Sequence, residues 1–298
     1  MLRVDHSFKA MGGPCRLRLE VEDEAQSRAA IEAAEVEVRR LEKKYSRYLD
    51  DSLTSRINRA AGTGEAVPVD AETAGLLDYA DTVWRESDGL FDLTSGVLRK
   101  AWDFRSGRLP QQEVIDALLP LVGWERVERN DTGVYLPDNG MELDFGGCVK
   151  EYAVDSAAAQ LRGAGVQAAL VDLAGDMAAV GTPAGSNGWP VGIRHPRGGD
   201  DALAGVTLPE GALASSGDYE RCMVVDGRRY GHLLDPRTGW PVSGLIAVSV
   251  LAPQCLVAGS SATVAMLKPV EEGLAWLEQL GLPFLAVDAD LNCSGTLA

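Results

Sequence analysis

The sequence predicts an α+β fold in which mixed or antiparallel sheets are flanked by helices, and three features carry that prediction. Apolar residues recur at helical spacing in two long stretches: Ile31, Ala34, Val38, Leu41 and Tyr45 in the first, Leu76, Ala80 and Val83 in the second. Asp226-Gly227 separates two short β-prone runs, as a two-residue hairpin turn does, and residues 126–136 around Asn130 and Gly133 read as another hairpin. No strand-like run is followed by Gly-x-Gly-x-x-Gly, which argues against a dinucleotide-binding parallel sheet. With 298 residues, 46% of them hydrophobic, the chain can bury a sizeable core as one large domain or two lobes.

In chain order, a strand over 8–20 comes first, Leu17 and Leu19 alternating with Arg16 and Arg18, and Met11-Gly12 interrupts it as a β-bulge would. Asp23 caps the first helix. The second runs over 70–86 and stops at Ser87-Asp88-Gly89. A loop over 102–110, a helix over 111–122 and the 126–136 hairpin follow. Residues 167–181 read as a buried apolar strand broken at Ala174-Gly175-Asp176, and 189–196 as another strand, with His195 in a loop. A strand over 245–251, a helix of small residues over 254–267, a helix over 271–280 and a strand over 284–287 complete the chain.

Two stretches are dense in chemistry-bearing residues. Residues 143–155 read as a strand entering the Gly146-Gly147 turn and then a helix. That arrangement can present unpaired helix N–H groups to a phosphate, with Lys150 as its cation, although a plain strand–turn–helix packed by glycines has the same pattern. Residues 211–244 hold the Ser215-Ser216-Gly217-Asp218-Tyr219 arm, the Asp226-Gly227 hairpin, His232 on its second strand, and a rigid Asp235-Pro236-Arg237-Thr238-Gly239 turn. An ordinary surface hairpin would share the turn. His232 stands out because an unperturbed pKa of about 6.5 suits proton transfer near neutrality.

The formal net charge of −16 opposes non-specific binding to nucleic acid or anionic membrane. An acidic chain that binds a pyrophosphate must neutralise it locally, with a cation or backbone N–H groups. Five scattered cysteines without a Cys-x-x-Cys pair read as free thiols. Asp5 and His6 interrupt any apolar run at the start, and no stretch has the roughly 18 to 20 apolar residues of a membrane span, so a cytoplasmic protein is expected.

Ser216-Gly217-Asp218-Tyr219-Glu220-Arg221 followed by His232-x-x-Asp235-Pro236-Arg237-Thr238-Gly239 resembles the ApbE family, the FAD:protein FMN transferases. The likeness extends from about Phe8 to about Leu267. It takes in Met11-Gly12, the Ser46-x-Tyr48 segment with Ser55-Arg56-Ile57-Asn58, Gly89-x-Phe91-Asp92-x-Thr94, and Asp144-x-Gly146-Gly147-x-x-Lys150-x-Tyr152-Ala153-Val154-Asp155. The resemblance implies a two-lobed fold, one domain over residues 1–298 with an FAD site between the lobes, and transfer of FMN from FAD to a Ser or Thr of an acceptor flavoprotein with release of AMP. It implies His232 and Asp218 as catalytic groups and Met11, Tyr48, Asp92, Thr94, Lys150, Asp176, Ser216, Gly217, Asp235, Arg237 and Thr238 as FAD contacts. Tyr48 could instead pack at a helix end, and Asp176 could simply cap its turn.

The pattern breaks where the family holds Mg²⁺. Gly259 stands in place of an aspartate ligand, leaving Thr263 and the Val149 carbonyl, while Glu151 stands where glycine is usual and is either the candidate replacement ligand or simply a surface glutamate. Leu93 and Val97 replace two prolines, and Ala174 replaces a glycine. A non-catalytic FAD-binding protein and an FAD pyrophosphatase giving FMN and AMP stay open as alternatives.

Overall fold

The computed structural model describes residues 1–198, 202–219 and 221–298. Its centre is an eight-stranded sheet of Leu2–Ala10, Gly13–Val21, Ala168–Leu173, Asp176–Val180, Gly211–Gly217, Leu245–Ala252, Phe284–Asp288 and Cys293–Ser294, each beside the strand before it. Every pairing in it is antiparallel. Smaller sheets join Trp189–Arg194 to Ala202–Leu208, Cys222–Val225 to Arg228–Gly231, and Gly133–Tyr135 to both Val67–Pro68 and Glu128–Asn130.

Three of the turns have one design. Met11-Gly12, Ala174-Gly175 and Asp226-Gly227 all have positive φ at both positions, the conformation whose twist matches two-residue hairpins. Met11-Gly12 therefore makes no bulge within one strand but the turn between two, with Ala10 opposite Gly13. The break expected at Ala174 is likewise a hairpin, and Asp176 opens its return strand opposite Leu173. The strand beside the Asp226-Gly227 turn ends at Gly231, one residue before His232.

The described residues form seven α-helices: α1 Glu24–Tyr45, α2 Leu53–Arg59, α3 Ala71–Glu86, α4 Gln112–Leu118, α5 Val149–Gly163, α6 Cys255–Leu267 and α7 Val270–Leu280. Asp23 and Asp70 cap α1 and α3 as the sequence indicates. No helix among the described residues is long and apolar enough to cross a membrane. Helices α5 and α6 lie on the sheet, α5 against Ala168–Leu173 and Asp176–Val180, α6 against Gly211–Gly217 and Leu245–Ala252. All five cysteines are free thiols.

One expectation needs correction, and one strand was not anticipated. Residues 141–144 form no strand before the Gly146-Gly147 turn, which is a short 3-10 helix over Phe145–Gly147. The Asn58 amide takes the place of a partner strand, accepting from Leu143 N at 2.7 Å and donating to Leu143 O at 3.0 Å. Conversely, Gly211–Gly217 is a central strand, although its small residues lack a β-like pattern.

The N-terminus of α6 is capped from a distance. Asp155 accepts from Cys255 N at 2.7 Å and Leu256 N at 2.9 Å, while Gln254, the local cap residue, makes no such bond. Burial raises the Asp155 pKa although both N–H groups favour the carboxylate. Replacing Asp155 with alanine leaves two N–H groups unsatisfied and is expected to cost about 1–3 kcal/mol in urea unfolding. A loss under 0.5 kcal/mol would show that the cap contributes nothing.

Candidate functional site

Four pieces of chain converge on one polar cluster: the first turn of α5, the start of strand Asp176–Val180, the end of strand Gly211–Gly217, and the middle of α6. Lys150 Nζ lies 2.5 Å from Asp176 Oδ2, and Ser215 N donates to Asp176 Oδ1 at 3.1 Å. Asp176 is only 1% exposed, so this ammonium and amide are what make a buried carboxylate tolerable. The Ser216 and Thr263 hydroxyls are 2.8 Å apart, tying the strand to α6.

Glu151, next to Lys150, turns inward and is buried, and its Oε2 receives no hydrogen bond. Burial, followed by the Asp176 carboxylate, pushes its pKa well above the usual carboxylate range, and the Lys150 charge opposes this only in part. It lies against Gly259: a Cβ at that position would come 2.5 Å from Glu151 Cγ. Val149 opens α5, which sets its carbonyl in the helix's own ladder and leaves one lone pair for another partner.

His232 belongs to the same field. Burial, then the positive charges of Arg221 and Lys150, lower its pKa to about 4 against the opposing pull of Asp218, and its Nδ1 has no hydrogen-bond partner. The imidazole is therefore neutral at pH 7, the form a general base requires. Asp218 itself is held by Arg197 through two bonds of 2.6 and 2.7 Å. Gly217 ends its strand where a Cβ would come 2.1 Å from the Tyr219 ring. Glu220 lies outside the described residues.

Tyr48 is 74% exposed and has the Arg47 guanidinium over its ring at 4.9 Å. Partial burial opposes its ionisation, but the 2.8 Å hydrogen bond from Arg47 and the charges of Arg47, Arg221 and Arg99 outweigh it and lower the phenol pKa. Arg47 is anchored by an ion pair to Asp144. The Met11 amide donates to Glu42 Oε1 at 2.7 Å, and a Cβ on the neighbouring Gly12 would lie 3.7 Å from an Arg221 guanidinium nitrogen.

The remaining sequence candidates are tied to other groups. Asp92 accepts from the Thr94 amide and hydroxyl and from Trp124 N, and Thr94 accepts from Gly123 N, all of it buried. Asp235 accepts from Arg237 N at 2.8 Å, Arg237 donates to the Asp88 carbonyl at 2.6 Å, and the Thr238 hydroxyl accepts from Trp240 N at 3.3 Å. Sequence reasoning did not single out Arg47, Arg197 or Arg221. Basic side chains gathering in so acidic a chain would have been the signal, but only the fold brings them together.

The ApbE family model matches residues 11–286. The chain belongs to the ApbE family. The FAD:protein FMN transferase of Klebsiella pneumoniae (strain 342) is 31% identical to it over 92% of this chain and 85% of that protein. That of Treponema pallidum (strain Nichols) is 30% identical over 94% and 81%. The crystal structure of the ApbE protein from Thermotoga maritima superposes with a TM-score of 0.89 at 30% identity, covering 99% of this chain and 97% of that one. The antiparallel sheet with flanking helices is thus the ApbE fold, and the whole polar cluster lies inside the ApbE match.

Proposed function

We propose that this chain is an FAD:protein FMN transferase, a single domain over residues 1–298 with FAD lying between the Lys150–Asp176 cluster and the exposed Tyr48 face. One observation carries the reading: a half-buried, neutral His232 held among cationic side chains beside the Lys150 cluster. Cations suit a pyrophosphate, and a neutral imidazole suits deprotonation of an alcohol. Membership of a family whose relatives are named FAD:protein FMN transferases supports it.

In this reading the acceptor's Ser or Thr oxygen attacks the FMN-side phosphorus of FAD. A phosphoester bond forms, the pyrophosphate bond breaks, AMP leaves, and the hydroxyl proton passes to His232. Asp218, fixed by Arg197, supplies negative charge that favours the imidazolium as it forms. Lys150 and Arg237 bind phosphate oxygens, Ser216 and Gly217 line the approach to them, and Asp176 orients Lys150. Tyr48 and Met11 contact the flavin ring system and the adenine respectively. Asp92 and Thr94 shape the wall behind them, and Asp235 and Thr238 hold the loop that carries Arg237.

The donor set fits Mg²⁺, a hard cation that prefers oxygen ligands: the Glu151 carboxyl with its unpartnered Oε2, the Thr263 hydroxyl and the Val149 carbonyl. Among the described residues no group of three or more His, Cys, Asp or Glu side chains gathers, so the set offers one carboxyl beside a hydroxyl and a backbone carbonyl. When bound, Mg²⁺ supplies positive charge to the pyrophosphate.

The test is incubation of the protein with FAD and Ser- or Thr-bearing FMN-domain acceptors, with Mg²⁺ or with EDTA. Acceptor mass should rise by FMN minus water, with one AMP released per acceptor, and EDTA should suppress both. AMP with free FMN and no acceptor gain would make the protein a pyrophosphatase; bound FAD without AMP in any lane would make it a binding protein.

A further inference from the structure

Helix α6 carries a glycine in mid-helix, where only proline is less favoured. Its surroundings supply the reason. A Cβ at residue 259 would lie 2.5 Å from Glu151 Cγ and 3.1 Å from both Cδ and Oε1, so α6 can hold a side chain there only if Glu151 withdraws. Glu151 reaches from α5 into that space, is 92% buried by its 8% exposure, and ends in an oxygen with no hydrogen-bond donor. Thr263 stands one helical turn beyond Gly259 on the same face, its hydroxyl 2.8 Å from that of Ser216, and the Asp176 carboxylate lies within electrostatic reach of Glu151.

We propose that Glu151 is the carboxylate ligand of a divalent-cation site, delivered from α5 into space that Gly259 leaves on α6, so that the two residues form one interdependent unit. A buried carboxylate with an unpartnered oxygen beside a second carboxylate is costly: it either holds a proton, the direction in which the Glu151 pKa is pushed, or gains a cation, and the geometry leaves it placed to take one. The geometry makes position 259 and position 151 alternative origins for one carboxylate: either helix can present it, but the space holds only one. The inference rests on the FMN-transferase reading for the identity of the cation, and deepens it by assigning which helix supplies the charge.

The experiment measures binding of Mn²⁺ alone by electron paramagnetic resonance and of Mg²⁺ alone by calorimetry, on the full chain. It compares the native protein with Glu151→Gln, Glu151→Ala, Gly259→Asp and the double variant Glu151→Ala/Gly259→Asp, and takes the thermal midpoint of each. Glu151→Gln keeps the shape, so it is expected to fold while binding Mn²⁺ at least tenfold more weakly. Gly259→Asp alone should lower the thermal midpoint, because two side chains compete for one space. The double variant should recover that midpoint and bind Mn²⁺ within about threefold of the native protein. Native-like Mn²⁺ binding by Glu151→Gln would overturn the proposal, as would a native protein that binds neither cation, or a double variant binding no better than Glu151→Ala. Cation binding that follows this pattern in a protein releasing no AMP would leave the proposal standing and remove the transferase reading.

Discussion

Asparagine in place of His232 is expected to lower FMN transfer by about 10²–10⁴-fold, the usual contribution of a positioned general base, while FAD binding changes little. Asparagine fills much of the imidazole's volume but cannot accept the proton. Nothing in the geometry makes His232 a main anchor for FAD, because its Nδ1 is unpartnered and the cations around it remain. Following AMP release and flavin fluorescence quenching on the same preparations separates the two effects. Transfer within threefold of the native rate would remove His232 from the chemistry. The same residue gives stability a pH dependence of defined sign. Its folded pKa, about 4, lies below the ordinary 6.5, so as pH falls through 6.5 the unfolded chain takes up a proton that the folded one refuses. Stability is then lost between about pH 6.5 and 4, by at most roughly 3 kcal/mol. His232→Asn should flatten that limb in denaturant titrations at pH 4.5 and 7; an unchanged slope would show that His232 titrates normally.

Phe145→Ala is expected to cost about 3–5 kcal/mol of unfolding free energy, the range for emptying a fully buried aromatic position. Phe145 is completely buried, and its ring centroid lies 4.9 Å from that of Tyr45, at the end of α1. It also begins the short 3-10 helix leading to Cys148 and then to Val149, Lys150 and Glu151. Loosening it should therefore weaken FAD binding as well as the fold, although Phe145 has no assigned contact with FAD. Urea titration and flavin binding measure the two. A loss below 1 kcal/mol would mean that Tyr45 and its neighbours collapse into the space.

What could be read in advance depended on the range of the interaction involved. Helices α1 and α3 were legible because Asp23 and Asp70 cap locally and the apolar spacing is regular. The Asp226-Gly227 hairpin was legible because two residues suffice to make the turn. Strand Gly211–Gly217 was not, since its alanines, serines and glycines suit close packing of α6 on the sheet more than any β pattern. The strand expected before Gly146 failed for a related reason: Asn58, 85 residues from Leu143, satisfies that backbone instead. At the site, Lys150, Asp176, Ser216 and Thr263 were named from motifs, and the fold brings them into contact. Arg197 on Asp218, Arg221 near Gly12 and Asp155 on α6 are pairings between distant parts of the fold, and no local pattern announces them.

The central sheet follows chain order strand by strand, yet the chain leaves it at Val21 and returns only at Ala168, after all of α1 to α5 have been made. The N-terminal hairpin and the later strands can each form from near neighbours, but the seam between Gly13–Val21 and Ala168–Leu173 must wait for that whole excursion to close. Closure of so long a loop carries a large entropic cost and makes the seam a slow event. Until it closes, two raw sheet edges stand open, so a refolding chain is most prone to pair with another chain at the very seam that later joins the Met11-Gly12 turn to the Ala174-Gly175 turn.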